Sequence, residues 1–312
     1  MISHTIGIDV SKDTLDAHCL DDGKSRQFTN TNAGLSALLR WLDESQVDLV
    51  AFEPTGPYHR KLEQALVDAK QPYTKVNPLR ARRFAEGCGM LAKTDRIDAG
   101  ILARMAALLD LKPQPRTEEK ITELRDLNVA RGALIKDRTA AKNRQKNLTQ
   151  PLLKRHNSER LAQIKRQLDA IEKAIAEIFA SNRELQRRLE IVTSIPGISA
   201  VTAFTLLIEM PELGTLEARQ AASLAGLAPV TRQSGRWKGR AHIHGGRANL
   251  RHALYMPALV AARFNQPMKT KYQALIAAGK PGKVALTAIM RSLIVLANAL
   301  LRDNRKWTHT RA

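Results

Sequence analysis

The spacing of apolar residues changes character several times along this chain, and each change predicts an element. Residues 5–10, apolar but for Thr5 and Asp9, read as a buried strand. Residues 15–20 and 25–29 read as two more strands, joined by the turn Asp21-Asp22-Gly23. Leu35, Leu38, Leu39 and Leu42 recur at helical spacing, so Ala33–Glu44 is expected to be a helix. Strands are expected over Val47–Glu53 and Pro72–Val76, with a helix over Tyr58–Ala69 between them. Pro78–Glu86 reads as a helix with proline in its first turn. A loop carrying Gly87 and Gly89 follows, then a helix from about Thr94 to Leu109.

Three consecutive strands followed by alternating helices and strands is the order of a ribonuclease-H-like α/β sheet, expected over residues 1–110. Lys112-Pro113-Gln114-Pro115 marks a linker. From Thr117 to Glu190 nearly everything favours helix. An apolar stripe that includes Leu124, Leu134, Leu148, Leu161, Leu168 and Ile175 runs through dense charge. Residues 111–190 therefore read as an antiparallel coiled-coil pair, bent near Pro151 to Ser158, whose role is to join subunits or span a distance. Residues 191–312 read as a mainly α third region. It opens on Ser194-Ile195-Pro196-Gly197-Ile198-Ser199, which is either a phosphate-holding helix-hairpin-helix loop or a plain tight turn. Helices are expected at Ala218–Ala225, Leu250–Arg263 and Val284–Arg302, around a Gly-, Arg- and His-rich segment from Gly226 to Arg251.

The 312 residues are 44% apolar and carry a net charge of +20. Lys and Arg against Asp and Glu number 14 to 15 in residues 1–110, 19 to 11 in 111–190 and 17 to 4 in 191–312. The positive charge is thus confined to the last two-thirds, which points to a polyanion, with nucleic acid as the default partner. Two cysteines, Cys19 and Cys88, at no metal-ligand spacing suggest a reducing, cytoplasmic setting. The N-terminus has no signal-peptide pattern, and no run reaches the ~18 uncharged apolar residues of a membrane span, so no membrane partner is expected.

Four carboxylates stand where an acid is unexpected or the chain bends. Asp9 lies in T-I-G-I-D-V-S-K; Glu53 ends L-V-A-F-E just before P-T-G; Asp95 and Asp98 lie in K-T-D-R-I-D-A. Asp9 and Glu53, at the ends of two strands, can reach one sheet edge. Asp95 and Asp98, three apart, share a helix face. Buried carboxylates are costly without cations, and two hard cations bridged by such a set would suit phosphodiester chemistry. G-I-D-V-S-K alone also resembles the first phosphate loop of sugar-kinase and actin-like ATPases. That reading needs a second Gly-rich phosphate turn, and Pro54–Gly56 is too short to be one.

A second cluster is Thr231-Arg232-Gln233-Ser234-Gly235-Arg236-Trp237-Lys238-Gly239-Arg240. Its guanidinium groups can hold a phosphate bidentately and stabilise developing charge. Ser234 is either a hydrogen-bond donor to that phosphate or a nucleophile that attacks it.

Several segments, in order along nearly the whole chain, settle the resemblance: I-G-I-D-V-S-K, A-F-E-P-T-G-P-Y, V-N-P-L-R-A-R-R-F-A, K-T-D-R-I-D-A, S-I-P-G-I, L-A-G-L-A-P-V-T-R-Q-S-G, L-R-H-A-L-Y-M-P-A and G-K-P-G-K-V-A-L. They resemble the insertion-sequence-110 family of DEDD transposases, relatives of the Piv-type invertases. The resemblance implies a RuvC-like N-terminal domain, a coiled coil and a C-terminal transposase domain. It also implies catalytic and metal-binding roles for Asp9, Glu53, Asp95 and Asp98, and a covalent serine–DNA intermediate at Ser234. Mg²⁺, two ions per site with Mn²⁺ able to substitute, would be the cofactor. Donor and target double-stranded DNA, an element-encoded guide (bridge) RNA and further copies of the chain, as dimer or tetramer, would be the partners, in a bacterial nucleoid setting. Nucleic-acid contacts are expected from Arg80, Arg82, Arg83, Lys93, Arg232, Arg236, Lys238, Arg240, Arg247, Arg251, Lys280 and Lys283. One departure is visible. Family members often carry Lys-Gly after the serine loop, where this chain has Ile243-His244-Gly245-Gly246. The rival readings are a water-using RuvC-like endonuclease and a non-catalytic nucleic-acid scaffold.

Overall fold

A computed structural model describes residues 4–90, 95–114, 119–231, 233–239 and 241–308; of these, the side chains of 95–97, 119 and 238 are not described. Contacts divide the chain into two compact units, Met1–Thr117 and Glu118–Ala312.

The first unit has the strands β1 (Thr5–Val10), β2 (Thr14–Cys19), β3 (Ser25–Thr29), β4 (Leu49–Phe52) and β5 (Tyr73–Lys75). Its helices are α1 (Asn32–Glu44), α2 (Arg60–Asp68), α3 (Pro78–Gly87) and α4 (Asp95–Leu108). The sheet order is β3-β2-β1-β4-β5. β1, β2 and β3 pair antiparallel, while β4 joins β1, and β5 joins β4, in parallel. Alternation divides the strands between two faces. Ile6, Ile8, Val10, Leu15, Ala17, Val50 and Phe52 pack with Leu35, Leu38 and Leu42 of α1 and Leu62 and Leu66 of α2. On the opposite face, Leu49, Ala51 and Val76 meet Ala81 of α3 and Leu102, Met105 and Ala106 of α4. Thr31 caps α1 by accepting from the Gly34 amide, and Asn77 caps α3 by accepting from the Arg80 amide. The strand expected to reach Glu53 ends at Phe52, two residues before Pro54, which cannot donate to the ladder.

The second unit begins with α5 (Glu119–Gln145) and α6 (Pro151–Ser181). The pair is antiparallel: the Asn157 amide donates to the Ala141 carbonyl, and Arg131 meets Glu172 at 2.8 Å. The bend expected near Pro151 to Ser158 is instead a turn before Pro151. The proline opens α6, where its missing N–H costs nothing, and the helix continues through Ser158. The base of this pair shares a core with the helices that follow: Leu124, Ile175 and Phe179 are buried with Phe204, Leu206, Leu250 and Leu293. The Phe179 and Phe204 rings stand 4.8 Å apart. Next come α7 (Arg183–Thr193), α8 (Ala200–Glu209) and α9 (Ala218–Leu224). The segment between α7 and α8 is a packed turn, with Ile195 and Ile198 buried and the Ile198 amide donating to the Ile195 carbonyl at 3.0 Å. That amide is spent internally, which favours the tight-turn reading over a phosphate loop.

Four two-residue strands follow: β6 (Pro229–Val230), β7 (Gln233–Ser234), β8 (Trp237–Lys238) and β9 (His242–Ile243). α10 (Ala248–Phe264), α11 (Gln266–Ala277) and α12 (Gly282–Arg302) complete the unit. Among the described residues α12 alone is long and apolar enough to cross a membrane. It is the central core helix here. Ile289, Leu293, Ile294, Ala297 and Leu300 are buried, and the buried Asn298 amide is satisfied by the Gly214 N–H and the Leu216 carbonyl.

Candidate functional site

A glycine determines how the acidic edge is built. A Cβ on Gly7 would stand 1.9 Å from the Ala99 carbonyl oxygen and 2.6 Å from the Ala103 nitrogen, both backbone atoms of α4. Only a residue without a side chain lets α4 lie directly on β1. Asp9 is two residues on from Gly7, so it belongs to the face that α4 covers. The β1–β4 register pairs Gly7 with Ala51 and Ile8 with Phe52, and its continuation sets Glu53 beside Asp9 on that same face. Asp98, the residue before Ala99, enters from the helix and is half-buried, as are Asp9 and Glu53. Asp95 opens α4; its side chain lies outside the described residues. Three of the four expected acids thus gather by backbone position at the C-terminal edge of two adjacent parallel strands. Among the described residues, however, no three His, Cys, Asp or Glu side chains are grouped closely enough to hold a metal ion.

Two residues of this edge were not singled out from sequence. Asp16 is the register partner of Asp9 across β1 and β2, which makes it a further carboxylate on the same face. Gln27 donates to its Oδ1 at 2.8 Å. The alternation in T-L-D-A-H-C already carries that signal. Asn30 is buried, and its Nδ2 donates to the carbonyls of Ser11 at 3.0 Å and Tyr58 at 3.1 Å. It thereby ties the loop after Asp9 to the loop after Glu53. On that second loop, burial pushes the His59 imidazole below its ordinary value, against the opposing pull of the Glu63 carboxylate. Glu63 Oε1 accepts from Lys75 at 2.7 Å and from the Tyr73 hydroxyl at 3.0 Å.

Ser234 lies in the second unit, on a short hairpin. β7 pairs with β8 so that Ser234 faces Trp237 across the two-residue turn Gly235-Arg236, where Gly235 takes a φ of 52°. Ser234 and Arg236 are exposed. β6 pairs with β9 below the hairpin. The base of the loop is pinned by a backbone crossing. A Cβ on Gly246 would stand 2.2 Å from the Gly226 nitrogen, and one on Gly226 would stand 2.2 Å from the Gly245 oxygen. This crossing accounts for the Gly245-Gly246 pair, and Arg251 Nη1 donates to the Gly245 carbonyl. Arg232, Arg240 and Lys93 lie outside the described residues, as does the Lys238 side chain.

Arg247 has a carboxylate partner within its own unit. Proposed from sequence as a nucleic-acid contact, it is bound bidentately to Glu212 at 2.7 and 2.9 Å and also donates to the Glu209 carbonyl. Its hydrogen bonds to Glu212 raise its pKa. Burial is the largest single influence on Glu212 and raises its pKa, but the Arg247 hydrogen bond, a backbone hydrogen bond and the charges of Arg247 and Arg125 together hold the carboxyl below its ordinary value. The Arg247 bonds use Nη1 and one hydrogen of Nη2, which leaves a phosphate only the Nε edge. Arg80, Arg82, Arg83, Lys280 and Lys283 are exposed, with Arg82 bonded to Glu86 at 3.3 Å.

Residues 6–157 match the DEDD transposase family of IS110, described as "Transposase", and residues 189–273 match the "Transposase IS116/IS110/IS902 family". The pilin gene-inverting protein of Moraxella bovis is 30% identical over 96% of both chains, and that of Moraxella lacunata 31% identical over the same shares. The insertion element IS110 uncharacterized 43.6 kDa protein of Streptomyces coelicolor is 31% identical over 44% of this chain and 38% of its own length. Two family matches that together cover most of the chain, and a pilin gene-inverting relative aligned over 96% of both chains, make this protein a member of the IS110 transposase family, a DNA recombinase related to the pilin-gene invertases.

Proposed function

We propose that the chain recombines its own element's DNA by a Mg²⁺-dependent reaction in which Ser234 is the nucleophile and a structured RNA chooses the sites. The observation that carries the reading is the meeting of Asp9, Glu53 and Asp98 on one face at the ends of paired parallel strands. The strand order, three antiparallel strands and then two added in parallel, supports a RuvC-like description of the unit that holds them. An all-carboxylate donor set suits hard divalent cations and fits no softer metal. Asp9, Glu53, Asp95 and Asp98 would hold the ions, which supply charge stabilisation at the scissile phosphate.

The protein itself supplies the nucleophile and the groups that position it. Ser234 Oγ attacks phosphorus: the Oγ–P bond forms as the bond to the leaving sugar oxygen breaks. The serine proton passes to a base, and the leaving oxygen takes up a proton. The phosphodiester energy is kept in the serine ester, so the reverse exchange rejoins strands without another energy source. The two-residue turn holds the hydroxyl at a hairpin tip, clear of the core. Arg232, Arg236, Lys238 and Arg240 surround it with charge for the equatorial oxygens. The acids belong to the first unit and the serine to the second, and the reading has dimers or tetramers assemble on DNA and RNA for cleavage. The excess of basic over acidic residues beyond residue 110 supports an RNA partner as well as DNA.

Asp9→Asn or Asp98→Asn should abolish strand cleavage while the fold survives, because each removes a charged ligand and also relieves carboxylate repulsion. Full activity in either variant would overturn the acid assignment. Element-derived RNA should remain bound at a salt concentration that releases random RNA; if both dissociate together, guidance is refuted.

A further inference from the structure

Residues 218–302 contain 14 Lys or Arg and no Asp or Glu. Within that stretch, α10 turns Leu250, Leu254, Ala258 and Ala261 into the core. Its other side carries a line of exposed residues at four-residue spacing: His252, Met256, Val260 and Phe264. Met256 is 62% and Phe264 76% exposed. Arg263 lies on the same side, exposed and without an ion pair among the described residues. Large apolar side chains left in water along a helix face mark a contact surface.

We propose that this stripe of α10 seats an unpaired strand of DNA, with Phe264 and Met256 against base faces and Arg263 on the backbone. Charge selects the occupant. A second copy docking through the same face would bring two Arg263 guanidinium groups into one interface, from a stretch without a single carboxylate to offset them. A nucleic-acid strand supplies the opposite charge and, once unpaired, flat apolar surfaces that a duplex keeps stacked inside. From His252 to Phe264 the stripe is roughly 18 Å long, room for about five nucleotides. DNA is the substrate class of this recombinase, and cutting and exchanging strands exposes unpaired bases near the cut. The inference deepens the recombinase reading but needs neither metal nor nucleophile.

The test is fluorescence anisotropy of the full-length chain in chelator with labelled single-stranded DNA, duplex DNA and single-stranded RNA of one sequence, across a salt series. Both apolar side chains are exposed, so Met256→Ala/Phe264→Ala should fold normally. The double variant should bind single-stranded DNA roughly tenfold more weakly at an unchanged salt slope, since stacking releases no counterions. Its duplex binding should stay within about twofold. Arg263→Gln should instead lower the slope by about 0.7. An unchanged single-strand affinity overturns the proposal. So does a loss confined to RNA, or a shift to smaller oligomers in sedimentation with DNA binding intact, which would assign the face to RNA or to a second copy. Failure here with cleavage intact would leave the serine and acid assignments standing.

Discussion

Replacing Gly7 by alanine probes the geometry of the acidic edge without touching an acid. The new methyl would sit 1.9 Å from the Ala99 carbonyl oxygen and 2.6 Å from the Ala103 nitrogen. Ordinary contact begins near 3.4 Å, so α4 must retreat from β1 by roughly 1–1.5 Å, because both obstructing atoms are backbone and no rotamer relieves them. Overpacking of this kind costs about 1–3 kcal/mol, and the contact lies at the severe end. With several degrees of Tm per kcal/mol for a unit of this size, the melting temperature of this unit should fall by roughly 10 °C. The retreat also carries Asp95 and Asp98 away from Asp9 and Glu53. A displacement near 1 Å costs on the order of 100-fold in rate where geometry is demanding. Circular dichroism melts and a gel assay of strand cleavage below the variant's melting temperature measure the two effects. Gly132→Ala is the control. Nothing lies within 4 Å of its Cβ on α5, so it should stabilise by about 0.5–1 kcal/mol and leave cleavage unchanged. A Gly7→Ala protein with wild-type melting and cleavage would refute the close packing of α4 on β1.

Asp16→Asn removes a like charge directly opposite Asp9, so the metal-free protein should melt slightly higher, by about 0.2–1 kcal/mol of stability, while more Mg²⁺ is needed for half-maximal cleavage. Arg247→Met should destabilise the second unit by about 1–2 kcal/mol, a figure kept low because both partners are partly exposed, and leave the salt slope of DNA binding unchanged. Glu212 has a lowered pKa, so its contribution is complete above the ordinary carboxyl value of 4.5 and is lost as pH falls below it; Glu212→Gln should flatten that acid limb of the stability curve. His59 has a depressed pKa, so the unfolded chain takes up its proton first. Stability from the neutral imidazole is present above the ordinary value of 6.5 and falls as pH drops below it, and His59→Gln should lose that dependence in melts between about pH 7.5 and 5.

What could be read from the chain followed the length of its periodic segments. The strands and helices of the first unit stand within one or two residues of expectation, because helices cover both sides of the sheet, so its central strands are nearly all apolar and its helices show a clear apolar stripe. Asp9 and Glu53 were legible as acids interrupting apolar runs. Asp16 was not, because one acid in an alternating strand looks like an ordinary solvent-facing residue until the register sets it opposite Asp9. α11 was missed: Pro267 near its start and an even scatter of polar residues hide its periodicity. The four strands around Ser234 are two residues long and show no period at all; only their turn glycines signal them. The pairing of Arg247 with Glu212 was not legible because the two lie 35 positions apart.

The covalent serine–DNA link is the claim on which the mechanism turns, and denaturing electrophoresis tests it directly. Full-length protein is incubated with labelled donor and target DNA, element-derived RNA and Mg²⁺, then boiled in detergent. The account predicts a slow-migrating DNA adduct that protease removes, with no adduct from Ser234→Ala although that variant binds DNA and RNA as the wild type does. Cleavage by the wild type without any adduct, or an adduct that survives Ser234→Ala, would contradict it.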